Sequence, residues 1–454
     1  MGAHAMRRLS GGRYYLVLAV AFLFILAALG GASRADELQQ SMVRLAAILA
    51  IAAALWPLDF TGFRDAKGPA TGLALVYLLL LVQLVPLPAN VWTAMPGHQV
   101  YASVAQQTSS VNWRPWTLSP DRTLNALAAL LPTTAIGLLA LTLDFRGRLI
   151  LARLTVGIAC SSALLGMMQF AAGGAELHLF RTTSENSAVG LFANRNHEAV
   201  LLACALPLVA ALTSIRMRQE DASTRQLVIA AAMTLLLVMG ITATGSRMGL
   251  FLGLLGLVAA AAIYLITAPK GFMNNLRLAV VATAGFVGAV SIGLLLVQSG
   301  ALQRLTSDPI DQTRLAVLDP ILKAARDFLP FGAGFGTFEP VYRHFEPDAL
   351  LSTIYLNQAH NEPAQLAVEG GVPALILLLL FLIWWARAAF RSISPRGSVQ
   401  RRSLGTAMTM VTLILMFSSL VDYPLRTPLL SGIFAIACVE LVRSKRRVEA
   451  PAAP

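Results

Sequence analysis

About a dozen stretches of this chain are apolar for close to the roughly 20 residues a helix needs to cross the hydrocarbon core of a bilayer. They fall near residues 14–32, 42–57, 70–87, 123–143, 149–171, 196–214, 226–243, 248–268, 277–297, 364–386, 403–421 and 427–442. That spacing predicts an all-α polytopic membrane protein with about 12 transmembrane helices. Composition agrees: 56% of the 454 residues are hydrophobic and 13% are charged, against roughly 25% charged in a soluble domain. Residues 1–297 carry the first nine spans, with a sizeable connecting segment at 88–122. A long polar loop with helical segments, residues 298–363, separates spans nine and ten. Residues 364–442 hold the last three, and 443–454 form a tail. The first run follows Arg7, Arg8 and Arg13 and is longer than the roughly 7–15 apolar residues of a signal peptide, so a retained helix is expected.

Orientation follows from Lys and Arg, which collect in cytoplasmic loops. Every second connecting segment is basic, among them those holding Arg146 and Arg148, Arg216 to Arg225, Arg387 to Arg402, and Arg443 to Arg447. Both termini are therefore expected in the cytoplasm. The net charge of +12 would suggest nucleic acid in a soluble chain; here loop asymmetry explains most of it, and no nucleic-acid partner is expected. Cys160, Cys204 and Cys438 all lie inside apolar runs, so neither a disulfide framework nor a metal cluster is implied.

The stretch with the densest chemistry is NQAHNEPAQLAVEGG, residues 357–371. Asn361 is a good helix N-cap, and Glu362 and Pro363 suit a first turn. His360 then sits just ahead of a helix N-terminus. The positive end of the dipole disfavours imidazolium, leaving a base able to take a proton, and the same end attracts an anion such as phosphate. A capping or hydrogen-bonded histidine at a membrane surface is the plainer reading of the same residues.

Three other spans with outer N-termini open on cations or candidate bases. FANRNHEA brings Asn194, Arg195, Asn196 and His197; TATGSRMG brings Ser246 and Arg247; DYPLRTP brings Asp422, Tyr423 and Arg426. Arginines are expected to be scarce on that side. Arg is the residue for bidentate phosphate recognition, so a pyrophosphate clamp is one reading; single arginines snorkelling to headgroups is the other. Gly332, Gly334 and Gly336 in GAGFG suit a tight turn better than a phosphate loop, because no strand precedes them. Glu346 and Asp348 form an ordinary exposed acidic pair, His197 and His344 lack metal-ligand spacing, and no metal or other cofactor is expected.

TGSRMG (244–249), DQTRLAVLDPILKAARDFLPFGAGFGTF (311–338) and NQAHNEPAQLAVEGG occur in the order found in the O-antigen ligase and polymerase superfamily of bacterial membrane glycosyltransferases, and the chain resembles that family over residues 192–430. One departure is the missing Trp of the second motif, where Leu318 stands nearest. The resemblance implies a GT-C-type helical fold, in the bacterial inner membrane with its site facing the periplasm. It also implies a metal-independent, inverting transfer of a glycan from undecaprenyl pyrophosphate. Most like an O-antigen ligase, the chain is expected to use lipid A-core as acceptor. His360 matches the family's essential histidine, Arg247 the arginine of its TGSR element and Arg314 the arginine opening its loop helix. Arg195 and Arg426 are carried mainly by their positions at helix ends, with Asn361, Asn194, Asn196, Ser246 and Tyr423 in support. A repeat-unit polymerase or a pilin-type protein O-oligosaccharyltransferase shares the donor chemistry. A lipid-linked sugar transporter or flippase would carry its polar groups near the midplane of broken helices, whereas here they gather at the outer ends.

Overall fold

The computed structural model describes residues 3–56, 66–172, 177–181, 187–219, 224–267, 316–351, 356–394 and 398–443. The expected ninth span, Arg314 and the tail from 444 lie outside the described residues. Within them the chain is helical almost throughout. Its helices are α1 (Ala3–Leu29), α2 (Leu38–Leu55), α3 (Lys67–Gln83), α4 (Ala89–Trp92), α5 (Gln99–Gln107), α6 (Pro120–Ala129), α7 (Leu131–Thr142), α8 (Phe145–Ala172), α9 (Arg195–Gln219), α10 (Thr224–Ala243) and α11 (Arg247–Thr267). After the undescribed stretch come α12 (Leu318–Phe328), α13 (Phe338–Phe345), α14 (Glu362–Ile393), α15 (Val399–Ser418) and α16 (Pro428–Arg443).

Among the described residues, eight helical stretches are long and apolar enough to cross a membrane, with α6 and α7 forming one path from Pro120 to Thr142. Pro132, near the start of α7, has no N–H to give, and the helix breaks there instead of running through. Three further expected spans exist as helices but are short or polar: α3 has 17 residues, α16 has 16, and α15 opens on Arg401 and Arg402.

The central element is α9. Nearly all of its apolar window is buried, against a third or less for most of the others. Its run of Ala199, Ala203, Ala205, Ala210 and Ala211 presents small side chains on several faces. Without a hydrophobic drive between helices in lipid, such small residues allow the close approach that makes helices associate. α11 uses this directly. A Cβ on Gly249 would stand 2.4 Å from the Cβ of Ala199, and one on Gly256 2.8 Å from the carbonyl oxygen of Ala203. Two glycines a heptad apart thus bring α11 against α9 along one seam, and fix where both helices begin.

The segment expected at 88–122 folds as a small cap. A two-residue antiparallel ribbon pairs Pro86 with Pro115 and Leu87 with Arg114. Three tryptophans in this segment, Trp92, Trp113 and Trp116, are of the kind that sits at a membrane interface, but two of them are tied into the cap. Trp92 is buried beneath the Arg114 guanidinium, at 5.3 Å, and donates from Nε1 to Asn112 O. Trp116 donates to Gly332 O on the turn after α12, and Trp113 is exposed. Indole N–H groups sought carbonyl partners within the cap, which a composition argument does not see.

The glycine-rich turn after α12 docks on α14. Ala333 N and Gly334 N donate to Val368 O and Glu369 O at 2.8 and 2.9 Å, and Val372 N donates to Pro330 O. α14 is interrupted at Gly371 (φ +57°), where a Cβ would stand 2.2 Å from Pro330 O. Two of the turn's backbone donors are therefore spent on α14, which favours the structural reading of the turn over the phosphate-loop one. Buried Glu369 and Gln83 complete the joint: Gln83 donates to Glu369 O and accepts from Phe335 N.

Gly256→Val is expected to force α11 off α9 at a cost of about 1–3 kcal/mol, visible as a lower thermal unfolding midpoint in detergent. Gly157→Val, on the exposed face of α8 with nothing within 4 Å of its Cβ, is the control and should leave the midpoint unchanged. Equal behaviour of the two would contradict the seam.

Candidate functional site

Where α9, α11 and α14 begin, three capped helix starts meet the loop between α15 and α16. Asn361 caps α14, accepting from Ala364 N at 2.9 Å. Asn194 precedes α9, with its Oδ1 accepting from Asn196 N at 2.8 Å. Ser246 caps α11, its hydroxyl accepting from Gly249 N at 2.9 Å. The turn ahead of α11 adjoins the start of α9: Nη1 of Arg195 lies 3.8 Å from the point where a Gly245 Cβ would stand. Arg195 and Arg247 are both half-buried at these adjoining ends.

Asp422 stands at the centre. Its carboxylate is 1% exposed. Oδ2 accepts from the Asn196 amide at 2.7 Å, and Oδ1 accepts from Tyr423 N at 2.9 Å. The same Oδ1 faces two imidazoles, His360 Nδ1 at 3.4 Å and His197 Nε2 at 3.7 Å. Both stop just short of a made hydrogen bond. The Tyr423 ring packs on both, with centroids 4.9 Å from His360 and 5.2 Å from His197. Burial alone would push the Asp422 carboxyl up. The facing His197 and His360 outweigh it and hold the carboxyl well below the usual carboxylate range.

His360 itself has φ +51°, a left-handed conformation that non-glycine residues seldom adopt. Neighbouring bonds hold it there: Ala359 N donates to Gln365 Oε1, and Glu362 N donates to Ser419 O, both at 2.9 Å. Such strain persists only where the surroundings over-determine it, and it gathers at functional sites. With Nδ1 turned to Asp422, the free lone pair falls on Nε2. The ring is 18% exposed, against 1% for His197. Only the first of the two imidazoles is open to a ligand.

Arg426 is brought to the same loop but faces elsewhere. Its Nε and Nη2 hold the two Glu362 oxygens at 2.7 and 3.0 Å, and Nη2 lies 3.9 Å from Glu369 Oε2. Burial works against the guanidinium charge, but the two carboxylates more than restore it and keep Arg426 protonated. Expected at a helix end as part of the pyrophosphate clamp, it ties the loop to the head of α14. Asp422 and His197 were named at their helix openings in the sequence but given no part in the site. The signal for Asp422 was an acid between two apolar runs; nothing in the sequence pairs it with residues 62 and 226 positions away. No group of three His, Cys, Asp or Glu side chains suited to a metal ion occurs among the described residues.

Residues 232–379 match the family model described as O-antigen ligase, Wzy_C. That match supports the O-antigen ligase and polymerase superfamily. Among curated proteins none matches it. Members of this superfamily are glycosyltransferase-like ligases or polymerases, and their general substrates are lipid-linked glycans and lipid acceptors. The matched stretch holds Ser246, Arg247, His360 and Asn361. Arg195, His197 and Asp422 lie outside it and are joined to this O-antigen ligase domain by the geometry above.

Asp422→Asn removes a charge that faces two imidazoles. A depressed folded pKa stabilises the protein above the unfolded value, ~3.9, and that stability is lost only as pH falls through the lower folded value. The variant is therefore expected to unfold about 1–3 kcal/mol more easily at pH 7. The gap should persist to about pH 4 and close below it. Equal midpoints at pH 7 would contradict a stabilising carboxylate.

Proposed function

We propose that the chain is an O-antigen ligase moving a glycan from undecaprenyl pyrophosphate to a lipid A-core acceptor at the periplasmic face of the inner membrane. The observation that carries this is His360, held in a strained backbone with Nδ1 against buried Asp422 and its ring open to a ligand. A carboxylate in that position fixes the tautomer and stabilises the imidazolium that forms when the ring takes a proton.

In the proposed reaction the acceptor hydroxyl gives its proton to His360 Nε2 as its oxygen bonds to the anomeric carbon of the donor sugar. The bond from that carbon to the pyrophosphate oxygen breaks on the opposite side. Undecaprenyl pyrophosphate leaves with the electron pair, and the configuration inverts. Arg195 and Arg247, at adjoining helix starts, would neutralise charge growing on the leaving group, together with Arg314. Helix N-termini at the same place favour the same anion. Arg426 enters as a positioning residue, since Glu362 already fills its fork. Pyrophosphate is a good leaving group, so orientation and charge neutralisation carry most of the rate, and the scheme draws on no metal.

With purified protein and labelled undecaprenyl-pyrophosphate glycan, His360→Ala is expected to lower transfer by about 10²–10⁴-fold. Arg247→Lys keeps the charge but loses the planar fork, and transfer should fall with it. Lipid A-core, further donor and a pilin peptide, offered separately, report the acceptor. Turnover by His360→Ala at the wild-type rate would overturn the mechanism, and transfer to donor alone would assign a polymerase.

A further inference from the structure

Beside the site lies a cavity of ≈ 1060 Å³ whose walls include none of His360, Arg195 and Arg247. It meets the site through Glu362 and Gln365 at the head of α14 and through Ser419 and Arg426 of the loop between α15 and α16. One half is polar, with Arg34, Arg44, Arg122 and Asn125 on its walls. The other runs down α14 past Leu378, Phe381, Leu382 and Trp385, facing Met416 and Phe417 of α15. From Glu362 to Trp385 that is roughly 35 Å of helix rise. A polar head continuous with a long apolar trough fits a membrane amphiphile, not a free sugar.

The charges in the polar half choose between headgroups. Arg34 is paired with Asp36, Arg122 with Glu339, and Arg426 with Glu362. Arg44 differs. Its Nη1 donates to the neutral Asn125 amide at 2.7 Å, its Nε is buried with no partner, and no carboxylate among the described residues lies within 4.0 Å of it. Asp121, one turn before Asn125 on α6, is exposed and accepts from Ser119 instead. Arg44 is the seventh residue of α2, inside a stretch apolar enough to span a membrane. A snorkelling arginine would reach outward to lipid headgroups; this one is turned inward to α6. An intramembrane charge without a protein counter-charge marks a ligand site.

We propose that this cavity seats the acceptor of the reaction above, a glycolipid whose acidic headgroup, a phosphate, meets Arg44 while its acyl chains lie in the trough. The assignment to the acceptor rests on the proposed function. An in-line displacement needs the attacking hydroxyl and the leaving pyrophosphate on opposite sides of the reacting carbon. With the donor's pyrophosphate at Arg195 and Arg247, a second amphiphile needs a seat of its own that opens at the head of α14.

Binding, not turnover, tests this, using full-length protein in detergent and a fluorescent phosphorylated glycolipid alongside its phosphatase-treated form. Wild type is expected to bind the phosphorylated form roughly tenfold more tightly. Arg44→Gln should bring the two affinities together, and His360→Ala should leave their ratio intact even with transfer abolished. That last arm separates failure here from failure of the proposed reaction. Leu382→Trp narrows the trough without touching the charge and should weaken both forms alike, which keeps the test decisive if Arg44→Gln does not fold. An unchanged ratio in folded Arg44→Gln, or unchanged binding in Leu382→Trp, would overturn the proposal. So would displacement of the glycolipid by inorganic phosphate at millimolar concentration, or one-for-one by a polyprenyl pyrophosphate.

Discussion

A single buried carboxylate holds the functional end of this bundle together. Asp422 takes hydrogen bonds from Asn196 on α9 and from its own loop, and faces one imidazole from α9 and another from the lead into α14. An uncompensated anion at 1% exposure would be costly. The cost is offset only while α9, α14 and the loop between α15 and α16 stand in their present relation. The same requirement that keeps the carboxylate solvated by protein groups keeps His360 pointed and its backbone in a conformation it would not choose alone.

Two further constraints supply the rigidity that Asp422 needs. The glycine seam between α9 and α11 sets the relative height of Arg195 and Arg247, because a larger residue at Gly249 or Gly256 would separate the helices. The glycine-rich turn is fastened to α14 at Gly371 through backbone hydrogen bonds on both sides, with Glu369 bonded from Gln365 and Phe338 N. α14 thus cannot rotate without breaking its joint to the turn. The head of α14 inherits its position from contacts about two and a half turns further along the helix.

Local signals were legible in the sequence and distant pairings were not. Asn361 as a cap, the helix starting at Glu362 and the apolar runs follow from neighbours within one turn, and α14 begins where those residues put it. Of the helical segments expected in the 298–363 loop, one is described over Leu318–Phe328. The burial of Trp92 and the docking of Trp116 could not be read, because their partners, Asn112 O and Gly332 O, lie 20 and 216 residues away. The pairing of Arg426 with Glu362 was illegible for a similar reason, as the two are 64 residues apart. The cavity had no sequence signature at all: its walls come from eight helices, and Arg44 reads in isolation as one more snorkelling arginine.

The most direct test of the central claim is a structure of the full-length protein with an uncleaved polyprenyl-pyrophosphate sugar bound. The pyrophosphate is expected against Arg195 and Arg247, with the anomeric carbon on the Nε2 side of His360 and Nδ1 closed to hydrogen-bond distance on Asp422. Pyrophosphate resting on Arg44 in the trough, or an imidazole turned away from the sugar, would contradict it.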